Sequence, residues 1–159
     1  GEPTPHLAPN ARGVFFGLTA RHNRFHLLRA ILEGVAYSLR DSFEILEEMG
    51  GPIEEVRLSG GGARSKLWRQ IQADVYGREV VTIGGTEGAA YGAALLAGVG
   101  VGAFPTVEAA CRTTIRVTER IMPIPENVEV YNRFYPLYRE LYGALKPHFD
   151  AVTRLVAAD

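Results

Sequence analysis

Val56-Arg57-Leu58-Ser59-Gly60-Gly61-Gly62-Ala63-Arg64-Ser65 is the stretch that decides the fold class. Its apolar start predicts a short strand that begins at about Ile53. The three glycines predict a turn, and Ser65 is a good N-cap for a helix that follows. A strand, a glycine turn and a helix in this order indicate a unit of an α/β protein.

The segments on both sides of this unit continue the alternation of helix and strand. Before it, apolar residues at spacings of three and four predict a helix over 24–49, with Asn23 as its N-cap and Gly50-Gly51-Pro52 as its stop. After it, the second helix closes at Gly77, and the run Val80-Val81-Thr82-Ile83 predicts a second strand. This order predicts helices that cover a small, mostly parallel sheet.

The C-terminal half is predicted to hold two further helices and one weaker strand. Thr86 is a good N-cap for a helix whose many small residues, Gly92 among them, predict very close packing against a neighbour. A loop with a strand candidate over 113–117 follows. The last segment predicts an amphipathic helix in which Pro136 and Pro147 are kinks or breaks.

Composition limits the classes of protein to which the chain can belong. Its 159 residues are 47% hydrophobic and 22% charged, with a formal net charge of −1, as in an ordinary globular domain. The charge balance gives no attraction for nucleic acid or anionic lipid. No signal segment or membrane span is visible, and the single cysteine, Cys111, offers no disulfide or zinc cluster. We therefore expect a cytoplasmic protein with neither a nucleic acid nor a membrane partner, and without a metal site of its own.

The number of strands indicates that the domain is incomplete. Only two strands are clear, which is fewer than an independent sheet usually has. The chain also opens in a loop rich in proline and glycine and has no initiator Met. We therefore interpret residues 1–159 as a single partial domain whose remaining strands lie upstream.

The glycine turn is the strongest candidate for a binding site. Glycines let backbone amides approach a ligand, and the following helix N-terminus favours phosphate or a polar ring edge. A dinucleotide fingerprint would need a glycine at Ser65, and a phosphate loop of the Walker type would need a Gly-Lys-Ser/Thr run that the chain lacks. A tight connector without a ligand remains the alternative.

The run Gly13-Val14-Phe15-Phe16-Gly17-Leu18, followed after seven residues by His26-Leu27-Leu28-Arg29-Ala30-Ile31-Leu32-Glu33, resembles the second signature of the FGGY carbohydrate kinases. The likeness extends over nearly the whole chain. It is closest to the xylulokinase branch of that family. The segments that carry this wider likeness are 1–13, 33–41, 60–74 and 87–94.

This resemblance implies an actin-like ATPase fold with two domains of ribonuclease H topology, which clasp ATP and a sugar. The chain would be the latter part of the second, C-terminal domain, without the N-terminal sugar-binding domain. The implied reaction moves the γ-phosphoryl of Mg²⁺-bound ATP to a sugar hydroxyl, D-xylulose in the most similar branch. Gluconokinase, another sugar kinase, or a non-catalytic nucleotide-binding or assembly module of this fold remain alternatives, and a homo-oligomer stays open.

The resemblance also assigns site residues. The catalytic aspartate would lie upstream, so we expect no catalytic residue in this chain and no activity from it alone. The backbone of Gly60, Gly61, Gly62 and Ala63 and the side chain of Lys66 would lie along the adenine and ribose of ATP.

Several other side chains have simpler interpretations. His26 is expected to be solvated or locally bonded rather than a metal ligand, and Glu33 to pair with Arg29 or Arg40. A carboxylate at Glu87 suits the first turn of a helix as well as it suits nucleotide binding. Trp68 is expected in the core, with the border of the adenine pocket as the alternative. A stripe for helix packing is formed by Tyr131, Tyr135, Tyr138 and Tyr142.

Overall fold

A computed structural model describes residues 1–2, 4–84 and 88–157. Helices and strands alternate through the first half of the chain, as the sequence predicts. The elements are α1 (Arg24–Glu48), β1 (Val56–Leu58), a 3-10 turn (Gly61–Arg64), α2 (Lys66–Tyr76), β2 (Val80–Ile83), α3 (Gly88–Gly100), α4 (Val107–Thr114), β3 (Val117–Ile121) and α5 (Pro125–Val156).

The sheet of the described residues has three strands in the order β1, β2, β3. Strands β1 and β2 are parallel, with Val56 opposite Val80, whereas β2 and β3 are antiparallel, with Val80 opposite Ile121. The prediction of a mostly parallel sheet is therefore wrong for one of the two pairings. A single crossover helix returns a chain to a parallel strand, but two helices, α3 and α4, separate β2 from β3.

Helices α1, α2 and α5 pack against one another beside the sheet and form most of the core. Helix α2 lies at the centre of this layer, and Ile71 and Val75 are almost completely buried in it. The buried cluster consists of Ala36, Tyr37, Val56, Leu58, Ile71, Ala73, Val75, Tyr76, Val80, Tyr131 and Tyr135. The spacing of apolar residues in 24–49 and 65–77 thus predicts two of the three helices that build the core.

Local side chains set the ends of these helices. The Asn23 side chain accepts hydrogen bonds from the backbone N–H groups of Phe25 and His26, and the His26 ring accepts from the Asn23 N–H in return. This reciprocal arrangement satisfies amides that the first turn of a helix leaves free. Helix α2 begins at the predicted N-cap Ser65 and ends at Gly77, which has the left-handed φ of 65°. The prediction that His26 is locally bonded is confirmed.

Asp74 links α2 to the start of α5. Its carboxylate is 1% exposed, and its Oδ1 accepts hydrogen bonds from Gln70 Nε2 and from the backbone N–H of Ile124, both at 2.8 Å. Its Oδ2 accepts from Asn127 Nδ2 at 2.7 Å. Ile124 is the N-cap of α5 and offers no capping side chain of its own, so Asp74 supplies the acceptor from a neighbouring helix.

Polar groups of tyrosines pair with carboxylates between α1 and α5. Tyr135 Oη donates to Asp41 Oδ1 at 2.6 Å, and Tyr131 Oη donates to Glu33 Oε1 at 2.7 Å. Arg29 Nε also donates to Glu33 Oε1 at 2.7 Å, which confirms the predicted pairing of that glutamate. Three of the four tyrosines of the predicted stripe, Tyr131, Tyr135 and Tyr138, thus pack α5 against Tyr37 of α1, as predicted, whereas Tyr142 stacks on His6 of the N-terminal segment.

The buried tyrosines should make the folded state less stable at strongly alkaline pH. Burial raises the pKa of Tyr76, Tyr131 and Tyr138 from 10.0 to about 12, and it raises the pKa of Tyr37 and Tyr135 further. A pKa that is higher in the folded state gives stability that is fully present below pH 10 and is lost as the pH rises through about 12.

We expect a spectrophotometric titration of the folded chain to show these five tyrosines ionising later than they do in denaturant, together with unfolding. Ionisation of these five tyrosines near pH 10 in a chain that stays folded would contradict the assignment.

The structure differs from the sequence-based expectations for the C-terminal half in the position of the strand, in the effect of the prolines and in the packing of α3. The segment 107–114 forms helix α4, and the strand begins only at Val117, so the strand candidate over 113–117 is misplaced. Thr113 and Thr114 are β-branched and therefore weaker helix formers. Within α4 their hydroxyls donate hydrogen bonds to the carbonyls four residues earlier, both at 2.8 Å. Helix α5 is continuous through Pro136 and Pro147, so of the predicted kinks or breaks, breaks are excluded.

Helix α3 does not pack as closely as its small residues suggest. Most of α3 is exposed, and a Cβ built on Gly92 meets nothing within 4 Å. Close packing occurs instead at Gly98, where a Cβ would lie 3.1 Å from the ring of Phe104. The proposed N-cap Thr86 and the carboxylate of Glu87 lie outside the described residues.

The N-terminal segment lies against the far end of the chain. Asn10 Nδ2 donates to Asp150 Oδ1 at 2.9 Å, and Arg12 Nη2 donates to Thr153 Oγ1 at 3.2 Å. The His6 ring stacks on Tyr142, with 3.5 Å between the ring centroids. These contacts order a segment that has no helix and only one isolated β-bridge in its described part.

Candidate functional site

The glycine turn joins β1 to α2 through a single turn of 3-10 helix. Gly60 has a φ of 76° and precedes that turn, a backbone conformation that favours glycine. The backbone N–H of Ala63 donates to Gly60 O at 3.2 Å, and Ser65 N–H donates to Gly62 O at 3.0 Å. The predicted order of strand, turn and helix is confirmed.

Backbone donors at this turn are available to a ligand. The first hydrogen bond of the 3-10 turn is made by the N–H of Ala63, so the N–H groups of Gly61 and Gly62 precede the hydrogen-bonded part. All three glycines are exposed, and a Cβ built on Gly60 or Gly61 meets nothing within 4 Å. This geometry leaves open space beside two amides that can bind an anion or the polar edge of a ring.

The electrostatics of the turn favour negative charge. Arg64 ends the 3-10 turn, and Lys66 is the first residue of α2, so both cations lie near the partial positive charge of that helix N-terminus. No acidic residue occurs between Gly60 and Lys66. The turn therefore fits a phosphate-bearing ligand such as ATP, but it offers no carboxylate for Mg²⁺.

Trp68 lies directly beneath the turn. A Cβ built on Gly62 would stand 3.1 Å from Trp68 Cδ1 and 3.2 Å from its Nε1, so only a glycine lets the indole approach this closely. The indole is partly buried and packs against the core together with Ala63. Trp68 thus packs against the core, as predicted, but from a partly buried position at the edge of the turn.

The structure separates the predicted site residues into two places. Gly62 and Ala63 line one end of a groove of about 530 Å³ that also contains Ser59 and Trp68. Lys66 instead lines a smaller, polar groove on the other side of α2. The backbone of the turn and the Lys66 side chain thus do not share one cavity.

The polar groove contains a side chain that the sequence did not single out. Arg69 is 8% exposed, and its Nη1 donates to Glu119 Oε2 at 2.7 Å. The sequence carries no signal for this pair, because its members are 50 residues apart and join α2 to β3. Among the residues described, no group of three or more His, Cys, Asp or Glu side chains could hold a metal ion.

Comparison with known proteins settles the family. The family described as "FGGY family of carbohydrate kinases, C-terminal domain" matches residues 1–101, which include α1, the glycine turn and α2. The chain belongs to this family. The expectation drawn from the signature residues 13–33 is confirmed.

Relatives within the FGGY family are named for more than one sugar. The chain is 39% identical to the xylulose kinase of Bacillus subtilis over 146 residues, which are 92% of this chain and 29% of the relative. It is 35% identical to the gluconokinase of the same species over 153 residues, 96% of this chain and 30% of the relative. The chain thus spans less than a third of the length of these curated relatives.

A solved structure supports the fold. The xylulose kinase from Rhodospirillum rubrum superposes with a TM-score of 0.77 at 38% identity, over 89% of this chain and 29% of that one. The predicted class, an α/β domain of the actin-like kinases, is confirmed as the fold of this chain. No helix in the described part of the chain is both long and apolar enough to cross a membrane.

Proposed function

We propose that this chain is the latter part of the ATP-binding, C-terminal domain of a sugar kinase that phosphorylates D-xylulose. Family membership and the open glycine turn support this proposal together. The family is one of carbohydrate kinases, and the turn provides backbone donors and positive charge without a competing carboxylate. The similarity to proteins named xylulose kinase favours that sugar.

In this proposal the residues of the chain bind and orient the nucleotide. The N–H groups of Gly61 and Gly62 and the α2 N-terminus face the adenine and ribose side of ATP. Lys66 is assigned to the same ligand as a charge at the helix start, reached from its own groove. ATP supplies the γ-phosphoryl group and brings Mg²⁺ bound to its phosphates.

Phosphoryl transfer also needs a positioned hydroxyl and a base, which we assign to the part of the kinase that precedes this chain. We therefore expect the 159 residues alone to give no turnover with D-xylulose and Mg²⁺-ATP.

Gluconate is the second candidate substrate, because the chain is also 35% identical to a gluconokinase. An assay of the full-length kinase with D-xylulose and with gluconate separates the two. We expect the larger kcat/KM with D-xylulose, and a larger value with gluconate would reassign the substrate. Absence of turnover with every sugar, with nucleotide binding intact, would favour the non-catalytic module.

Gly61→Ala tests whether the turn binds a nucleotide. A Cβ at this position meets no protein atom within 4 Å, so the free energy of unfolding should stay within about 0.5 kcal/mol of the unmodified protein. The same methyl group would occupy the space of the ligand, so we expect the Kd for ATP in the full-length kinase to rise about tenfold, or about 1.4 kcal/mol.

Gly92→Ala on α3 is the control, since its Cβ also meets open space but Gly92 is not part of the turn. Gly92→Ala should be slightly more stable, because alanine is favoured over glycine inside a helix by about 1 kcal/mol, and only Gly61→Ala should weaken ATP binding. An unchanged Kd for Gly61→Ala would mean that the turn only connects β1 to α2 and does not bind the nucleotide.

A further inference from the structure

Arg69 is a buried cation that makes few hydrogen bonds. It lies in the first half of α2, and its side chain is only 9% exposed. Its Nη1 donates to Glu119 Oε2 at 2.7 Å, whereas its Nε is buried and has no hydrogen-bond partner among the described residues. A buried charge is costly unless its donors are paired, and a buried donor without a protein partner indicates a bound water or ion. The Nε of Arg69 therefore needs a further acceptor.

Glu119 compensates the charge of Arg69 only in part. The side chain of Glu119, on β3, is 50% exposed, although the arginine that it contacts is buried. Water therefore solvates the carboxylate and weakens its attraction for the guanidinium, as in ion pairs near a protein surface. Arg69 thus keeps both an unpaired donor and positive charge for a second anion.

The polar groove that Arg69 lines contains more cations than carboxylates. Lys66, Arg69 and Arg120 line it, and in the described part of the chain Glu119 is its single acidic residue. Arg120 Nη1 donates to Glu79 Oε2 at 3.0 Å, and this glutamate lies outside the lining. Even with Glu79 counted, three cations stand against two carboxylates. A concave surface with an excess of one charge concentrates ligands of the opposite charge, so the groove favours an anion.

The size and the donors of the groove fit a phosphate group. Its volume is about 290 Å³, whereas a water molecule in the liquid takes up about 30 Å³, so a small polyatomic anion can enter. Arginine binds phosphate through parallel N–H donors, and its Nε is one member of that fork. A phosphate group also has three acceptor oxygens and up to two negative charges, so it can contact Arg69 and Arg120 at once.

We propose that the polar groove is a second anion site, which binds the phosphate group of a small ligand through Arg69 and Arg120. Lys66 adds positive charge, but it is assigned above to ATP, so the second site does not depend on it. The groove lies on the other side of α2 from the groove beside the glycine turn, so we expect phosphate and ATP to bind at the same time. The inference stands whether or not the substrate is D-xylulose.

Calorimetric titration of inorganic phosphate into the full-length kinase tests the site. The titration is done without nucleotide and with a saturating, non-hydrolysable analogue of ATP. We expect phosphate to bind with a similar Kd in both cases. Binding that the analogue abolishes would assign the phosphate to the ATP site and overturn the proposal. Absence of binding would mean that the groove holds only water, which would overturn it as well.

Free phosphate and phosphate monoesters offer the same group to Arg69 and Arg120, and a parallel titration with methyl phosphate distinguishes them. Tighter binding of methyl phosphate would indicate that the ligand of the site is a monoester. Tighter binding of inorganic phosphate would indicate free phosphate. Both results support the proposed site, whereas weak binding of each that does not saturate would contradict it.

Two arginine variants test the residues of the site. Arg69→Gln should raise the Kd for phosphate about tenfold, because it removes a hydrogen bond between charged groups. Arg120→Gln should raise it about threefold, since that side chain is 57% exposed and a charge at the surface contributes less. Arg120→Gln changes no buried group, so it tests the site even if Arg69→Gln disturbs folding. Arg57→Gln is the matched control, because Arg57 is 54% exposed, pairs with Glu55 and lines the other groove. Equal effects of Arg57→Gln and Arg120→Gln would overturn the proposal.

Glu119→Gln gives a readout that a purely structural ion pair would not. The substitution removes the carboxylate that competes with phosphate for Arg69, so we expect the Kd for phosphate to fall about threefold. Glu55→Gln is the control, since it removes a carboxylate from an ion pair outside the polar groove and should leave this Kd unchanged. Unchanged or weaker phosphate binding in Glu119→Gln would mean that Arg69 only joins α2 to β3, and it would overturn the proposal.

Discussion

Asp74→Ala is expected to lower the free energy of unfolding by about 3 kcal/mol, since it removes three hydrogen bonds to a carboxylate on an almost fully buried residue, each worth about 1 kcal/mol. The substitution removes the acceptor of three donors, the backbone N–H of Ile124 and the side chains of Gln70 and Asn127. It also removes the only negative charge that we find bonded to the N-terminus of α5 in the described residues. Chemical denaturation monitored by circular dichroism measures this loss.

Asp150→Ala is the matched control for this substitution. Asp150 is partly buried and accepts one hydrogen bond, from Asn10, so we expect a loss of only about 1 kcal/mol. Asp74→Asn should fall between the two, because the amide keeps one acceptor oxygen. Equal losses for Asp74→Ala and Asp150→Ala would mean that Asp74 does not hold α5 to α2.

Gly62→Val should disturb both the core and the nucleotide. The Cβ alone would lie 3.1 Å from Trp68 Cδ1, and the two methyl groups of valine add further bulk against a packed indole. Overpacking of this kind costs about 1–3 kcal/mol. Displacement of the turn should also raise the Kd for ATP in the full-length kinase by more than tenfold. The midpoint of chemical denaturation measures the first effect, and the Kd from an ATP titration measures the second.

Gly61→Val is the control for the change of residue type. Gly61 is next to Gly62 in the turn, but a side chain at position 61 has open space. We expect it to keep the stability that Gly62→Val loses. Adding Trp68→Leu to Gly62→Val should recover part of that stability, because the smaller side chain relieves the contact. If Gly61→Val and Gly62→Val are equally stable, the Trp68 contact does not explain the need for glycine at 62.

The elements with strong local signals were predictable from the sequence. Helices α1 and α2 have both apolar spacing and capping side chains, and Asn23 and Ser65 cap them as predicted. Strand β2 matches the run of β-branched residues at 80–83. In α2 and β2 the local preference of the residues agrees with their burial, whereas much of the apolar stripe of α1, with Phe25 and Leu28 in it, is exposed.

The errors occur where local and tertiary effects differ. A strand was expected at 113–117, but the hydroxyls of Thr113 and Thr114 donate to carbonyls within α4. The prolines of α5 suggested kinks or breaks, yet the helix is unbroken, and Tyr135 and Phe149 are buried against its neighbours. Burial of these side chains outweighs the hydrogen bonds that a proline removes.

The candidate site was predictable in its backbone and less so in its side chains. Three consecutive glycines after a strand identify the turn, because few other residues adopt the φ of Gly60. The position of Lys66 in a separate groove depends on the direction in which α2 leaves the turn, which the spacing does not give. Asp74 acts on residues 50 and 53 positions away, and such contacts leave no local pattern.

The contact between the two ends of the chain bears on the order of synthesis. Asn10 and Asp150 are 140 residues apart in sequence, and Arg12 and Thr153 are 141 apart. At about 5–20 residues per second, a ribosome completes the second partner about 7–28 s after the first. During that interval the segment that contains Phe15 and Phe16 has no hydrogen-bonding partners. A nascent chain with exposed apolar residues can bind chaperones or aggregate at this stage.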